Sequence, residues 1–369
     1  MKSKYIGWVL IGLLALFTAV SCKSAPPPTA EEEAPTAAAP LDPNSLPPDQ
    51  ATLNELNAAA ARAAAARKLA SDFGASTSFP QDWQSADSLY SQAEQQKKSS
   101  TMLETRDSIA RYNRAADAFD ALANKTLAQY YETKQKEIDS ARNKAVSSGA
   151  AVLIPDYLLD ADNAAADALK KYQAKDYYGA KESADKALSM YAALNAGLDA
   201  YKVREQIFGK GFEVYDPVNI QLADDTMWSA ASDYEAKNYA GAKQKADAAL
   251  LRYNQALKTG WESYAAEKGA NASAERQKAL DLRANVAVRQ EFNSAQAIYV
   301  RANTAFNSQR FEEAAGLYED CESMFEVIAE VALEKRLAAE EALRRANDKM
   351  NESNEKAKNA EVILEGGVR

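Results

Sequence analysis

The residues of this chain that carry chemical potential are few, and their types limit what they can do. There is no histidine in 369 residues, which removes the commonest general base and the commonest metal ligand. Two cysteines occur, Cys22 and Cys321. Cys22 follows an apolar run and the small residues Ala19, Val20 and Ser21, a place apart from any folded core. Cys321 then has no partner within the chain, and without a histidine nothing activates it as a nucleophile. Carboxylates cluster only as Asp224-Asp225 and Glu312-Glu313, expected at helix starts or on exposed faces, where they complement the helix dipole. No paired-carboxylate active site, metal-ligand set or cofactor motif emerges, so neither an enzyme nor a cofactor is expected. Six aromatic residues, Tyr172, Tyr177, Trp228, Tyr234, Tyr239 and Trp261, are candidates for lining a ligand groove, with core packing as their ordinary alternative.

The context of Cys22 gives it a purpose. Lys2 and Lys4 precede an apolar run from Tyr5 to Val20, the layout of a secretory signal and shorter than the roughly 20 residues a permanent spanning helix needs. Ala19-Val20-Ser21-Cys22 resembles the lipobox of bacterial lipoproteins, in the relaxed form used by spirochaetes, with Ala19 where leucine is usual. The resemblance implies cleavage before Cys22 and acylation of its thiol. Each buried lipid methylene contributes about 0.8 kcal/mol, so several acyl chains hold stably. Residues 22–51 then form a tether: eight prolines lie between Pro26 and Pro48, beside the acidic run Glu31 to Glu33. Extended polyproline II would let it reach as far as ~90 Å. Formal charge is −9, and loss of Lys2 and Lys4 with residues 1–21 leaves about −11, which argues against a nucleic-acid partner.

Beyond residue 48 only Pro80, Pro155 and Pro217 interrupt a chain whose hydrophobic fraction, 47%, is rich in alanine. An all-α body is expected. Thr52 and Glu55 have the spacing of a capping box, predicting the first helix start at Thr52, and Gly74 is placed to end that helix in the left-handed region. Ala66, Ala70, Gly74, Ala75, Pro80 and Ala86 recur 75 residues later as Ala141, Ala145, Gly149, Ala150, Pro155 and Ala161. Tyr172–Tyr191 aligns with Tyr234–Tyr253 at offset 62 with twelve identities in twenty, and the offset carries Gly149 to Gly211 and Pro155 to Pro217. A degraded copy at offset 134 places Ala295, Ala302, Phe306, Phe311, Ala314, Cys321 and Phe325 opposite Ala161, Ala168, Tyr172, Tyr177, Ala180, Ala187 and Tyr191. Cys321 is therefore a small residue at a helix contact. The first copy aligns if about ten extra residues are allowed around Lys97 to Arg106, after which Tyr112, Ala115 and Phe119 resume the pattern.

Four units thus run approximately 60–135, 136–200, 201–262 and 263–345. Within each, alanines and aromatics recur at intervals of three and four, as in Ala161, Ala165, Ala168 and Tyr172 and then Tyr177, Ala180, Ala184, Ala187 and Tyr191. That pattern predicts two antiparallel helices about a short joint at Lys175-Asp176. The stripe continues through Leu194, Leu198, Tyr201 and Phe208, so the second helix should run about 30 residues, or about 45 Å.

The spacing of Ala168, Tyr177, Ala180, Ala184 and Ala187 resembles the tetratricopeptide repeat, although the period is 62–75 residues rather than 34 and the usual tryptophan and Leu-Gly pair are missing. The fuller pattern Ala-x3-Ala-x3-Gly-Ala-x4-Pro-x5-Ala is similar to an alanine-rich domain of unknown function found in bacterial lipoproteins, over roughly residues 60–330. The expected architecture is a tetratricopeptide-like solenoid or elongated bundle of antiparallel helical hairpins with long helices, over residues 52–345. A charged helix end and tail follow at 346–369. From Glu330 to Ala360 charge covers most faces around a thin stripe of Val331, Leu337 and Leu343, predicting a solvated terminal helix or a partner-binding coiled coil. The expected role is a periplasmic, membrane-anchored, non-enzymatic scaffold for envelope proteins, with an accessory solute-binding role beside a transporter as the alternative. A filled core would favour the first, an apolar groove the second.

Overall fold

The structure, a computed structural model, describes residues 42–98 and 100–366. The expected leader, Cys22 and most of the expected tether lie outside the described residues. Among those described, the architecture is all-α, with twelve α-helices, two short 3-10 turns and no strand. The chain divides into two compact units, Met1–Leu122 and Ala123–Arg369.

In the first unit, helix α1 spans Gln50–Asp72, a single turn α2 spans Ala75–Ser78, α3 spans Pro80–Gln96, and α4, spanning Met102–Ser147, begins. α1 starts before the predicted Thr52. The Asp49 carboxylate caps it, accepting the Thr52 amide at 2.7 Å. That hydrogen bond holds the Asp49 carboxyl below its ordinary value. An ionised acceptor is the stronger cap, and Thr52 is left to bury its side chain within 3.5 Å of Met102 Sδ.

In the second unit the end of α4 is followed by the turn α5 (Ala150–Leu153), then α6 (Pro155–Gln173) and α7 (Tyr177–Gly209). A 3-10 turn at Phe212–Val214 leads to α8 (Pro217–Glu235) and α9 (Tyr239–Asp281). The turn α10 (Ala284–Ala287), α11 (Arg289–Asn307) and α12 (Phe311–Gly366) complete it. Short helices of 19 residues thus alternate with long ones of 33, 43 and 56. α7 packs on both α6 and α9, α9 on both α8 and α12, and α11 on α12. α7 and α9 are therefore each the second helix of one repeat and the first of the next, the consequence of an apolar stripe that does not stop at the repeat border.

The corners repeat because their chemistry repeats. Gly74, Gly149 and Gly211 have φ of 85°, 94° and 70°, and Arg283 takes the same place at φ 57°. The residue before each following helix is held near φ −140° (Phe79, Ile154, Asp216, Val288), as a following proline demands in three of the four. The hairpin joints repeat too, with Lys175, Lys237 and Gln309 in the left-handed region. Asp176 and Asn238 accept the amides of Gly179 and Gly241 at 3.0 and 3.2 Å. The capping side chain lies where a Cβ on either glycine would sit, which accounts for glycine at both positions.

Packing corrects the alignment of the first copy. Trp83 meets Phe119 as Phe292 meets Phe325, and Tyr90 meets Tyr112 as Tyr299 meets Tyr318. Phe119 therefore occupies the place of Phe325 and Tyr191, and the insertion is three residues rather than about ten. Alanine dominates the core, and Ala63, Ala161, Ala187, Ala249 and Ala295 are fully buried. A methyl contributes only about 0.8 kcal/mol on burial, so the fully buried Tyr112, Phe119, Tyr191, Tyr253 and Phe325 carry more, roughly 1.5–3 kcal/mol each.

Candidate functional site

An apolar cleft lies within the second unit. The corner residues Leu153 and Ile154 and the first turn of α6 at Tyr157 face Leu194, Gly197, Leu198 and Tyr201 of α7, with Met227 and Tyr234 of α8 opposite. Ala242 and Ala246 of α9 form part of the lining, and the cleft measures ≈ 380 Å³. It exists because the residues along its walls are small: Ala193, Gly197, Ala230, Ala231, Ala242 and Ala246 set the helices close without filling the gap. The Tyr157 hydroxyl donates to Glu235 Oε1 at 3.0 Å, and its ring stands edge-on to Tyr234 with centroids 5.1 Å apart. Such a cleft suits an apolar group, and its lining brings no acid and base together.

Of the six aromatic residues singled out from the sequence, only Tyr234 lines this cleft. Tyr239 packs behind it, ring centroids 5.0 Å apart. Tyr172 and Tyr177 join Tyr131 in a separate cluster, where the Tyr131 hydroxyl donates to the Tyr177 carbonyl at 2.7 Å. Trp261 stacks edge-on against Phe212 at 5.1 Å with Lys210 Nζ 4.3 Å above its ring. Trp228 is 77% exposed and touches none of these.

Sequence reading missed a polar node that recurs within the repeats. Arg142 Nε donates to Asp162 Oδ1 at 2.8 Å and the Tyr191 hydroxyl donates to the same oxygen. One repeat on, Arg204 donates to Asp224 at 2.9 Å and Tyr253 donates to Asp224. Burial by itself raises the Asp162 carboxyl, but the hydrogen bonds from Arg142 and Tyr191 outweigh it and hold the group below its ordinary value. Burial, reinforced by the neighbouring carboxylate, pushes the Tyr191 and Tyr253 phenols well up. Asp224 is consequently neither at a helix start nor fully exposed, contrary to expectation, because its arginine and tyrosine partners come from α7 and α9. Asp225 is exposed and Glu312 and Glu313 lie in the first turn of α12, as expected. In the last copy Arg276 meets Gln296 at 2.5 Å and Phe325 replaces the tyrosine. Loss of the carboxylate thus coincides with loss of the hydroxyl that would need it. The first copy keeps Arg67–Asp87 at 2.6 Å with Phe119 in the aromatic place. The signal was present as an arginine 20 residues before an acid or amide in all four copies.

Cys321 is fully buried among core residues, its Sγ 3.3 Å from the Tyr318 carbonyl, and burial pushes its thiol up to about 11. Its surroundings suit packing and oppose the thiolate. Among the described residues no group of three or more acids and cysteines is placed to hold a metal ion, and no helix is long and apolar enough to cross a membrane.

No family model and no solved structure matches the chain. Among curated proteins it is similar to Treponemal membrane protein A of Treponema phagedenis, 23% identical over 229 residues. That stretch is 62% of this chain and 66% of the relative, just under two thirds of the relative's length. The chain is thus distantly related to a spirochaete membrane protein.

Proposed function

We propose that the chain is an envelope lipoprotein, anchored on the periplasmic side by acyl chains on Cys22, whose repeats act as a non-enzymatic scaffold for other envelope proteins. The observation that carries this reading is the sharing of long helices between successive repeats, which makes the second unit a continuous framework whose recurring side-chain chemistry serves packing. The relative named as a membrane protein supports the membrane assignment. With no described helix fit to span a bilayer, a lipid is the anchor that agrees with it. In cells, the protein should take up labelled palmitate and partition with membranes, while Cys22→Ser should lose the label and leave the membrane fraction. A substituted protein that stays membrane-bound would overturn the anchor. Crosslinking in the envelope should recover a defined protein partner.

The apolar cleft favours a second reading, an accessory solute-binding lipoprotein beside a transporter. Filling the cleft with Ala230→Trp should then abolish binding of an apolar carboxylic acid measured by calorimetry, whereas a scaffold without a solute would show no binding in either protein.

A further inference from the structure

The last helix runs far past the body that buries its beginning. Along α12 the buried positions Tyr318, Phe325 and Ala332 recur every seven residues, and the last contacts of the core are Ala329 and Ala332. From Leu333 to Leu364 every residue is exposed, yet the seven-residue spacing does not stop. Ala339, Ala346, Ser353 and Ala360 continue the register of Ala332, while that of Ala329 is interrupted at Arg336 and resumes with Leu343, Met350, Ala357 and Leu364. Leu343, Met350 and Leu364 are 64%, 57% and 74% exposed. These two rows are the d and a positions of a coiled coil, sustained over nearly four heptads. Past the break at Arg336, a seam in the same register as the one packed inside the repeat body thus lies in solvent without a partner.

The flanking charges specify the partner. In this register the g positions are Lys335, Ala342, Lys349, Lys356 and Ile363, and the e positions from Glu340 on are Glu340, Asn347, Asn354 and Glu361. Lys335 is held by the Ala287 carbonyl at 2.9 Å, so the free seam opens at Ala339. With two copies parallel and in register, each g position meets the e position five residues further along the other copy. Lys349 then meets Asn354 and Lys356 meets Glu361, and no like charges face each other. Two copies antiparallel at full overlap would instead set Lys349 against Lys356 and Glu340 against Glu361. The pairs that now occupy these side chains, Lys356–Glu352 and Arg336–Glu340, are exposed contacts within one helix and are exchanged at little cost.

We propose that residues 339–364 form a parallel, in-register, two-stranded coiled coil with a second copy of this chain, joining two repeat bodies side by side. The small residues at d let the backbones approach closely, and the charged e and g positions set the direction. The inference rests on the helix alone and is independent of the scaffold reading.

The test uses the full chain carrying Cys22→Ser, so that the introduced cysteine is the reactive thiol and Cys321 stays buried. Ala339→Cys and Ala360→Cys, made separately and treated with a short bis-maleimide, should each give a covalent dimer in much higher yield than Asp348→Cys on the opposite face. Both dimers should be lost on adding Leu343→Asp and Met350→Asp, with helicity unchanged by circular dichroism. Yields no higher than at position 348 would overturn the proposal. Crosslinking only when the 339 and 360 variants are mixed would show an antiparallel pair and overturn it, as would a light-scattering mass above two copies.

Discussion

The Arg142–Asp162–Tyr191 node shows how a core made mostly of alanine tolerates polar groups. The Tyr191 ring is fully buried, while the Asp162 and Arg142 side chains remain 28% and 44% exposed. Solvent screening therefore limits what the ion pair adds, and the hydroxyl-to-carboxylate hydrogen bond matters more. Tyr191→Phe should destabilise by about 1–2 kcal/mol, as should Asp162→Gln, because each leaves one partner unmet. Together they reproduce the Gln296 and Phe325 combination of the last repeat, and the double variant should be less costly than the sum of the singles by about 1 kcal/mol, measured by urea unfolding. The pH dependence follows from the sign of the shift. Asp162 titrates lower in the folded protein than its ordinary value of 3.8. Its stabilisation is therefore complete above the unfolded pKa and lost as pH falls below 3.8 through the folded pKa. The double variant should show a flatter acid limb than the parent as the pH falls below 3.8.

At the scale of elements, the corners decide where each helix stops. A left-handed residue follows each of α1, α4, α7 and α9, and glycine fills three of the four places. Gly149→Ala should cost about 1–2 kcal/mol, since a Cβ is strained at φ 94° whatever room surrounds it. Arg283→Gly should run the other way, raising stability by about 0.5–1 kcal/mol after the entropy of glycine is subtracted. Thermal unfolding of the two variants tests the pair, and a destabilising Arg283→Gly would show that the arginine contributes more than its backbone costs.

At the scale of the molecule, the 56-residue α12 is about 84 Å long, and little more than its first third is packed on the rest of the second unit. A chain ending after Arg336 should keep the parent's unfolding temperature, because no residue from Leu337 to Leu364 is buried. It should also lose self-association by sedimentation. A large fall in the unfolding temperature would mean that the terminal helix supports the body rather than a second copy.

Sequence by itself determined what depends on neighbours along the chain. Helical class, glycine stops, proline starts and the length of the second helix follow from spacings of three and four and from backbone preferences. The repeats follow from identities at fixed offsets. Tertiary structure decided what depends on separations outside the helical period. Arg142 and Asp162 are 20 residues apart and Asp162 and Tyr191 are 29 apart, distances that no single helix brings together, so Asp224 read from sequence looked like a surface acid. The aromatic candidates divided for the same reason: Tyr234 lines a cleft, Trp261 and Tyr172 pack, and Trp228 faces solvent, according to which neighbouring helix stands opposite. Even the first helix start moved, from Thr52 to Gln50, since the carboxylate of Asp49 caps it more strongly than a hydroxyl whose carrier is drawn into the core.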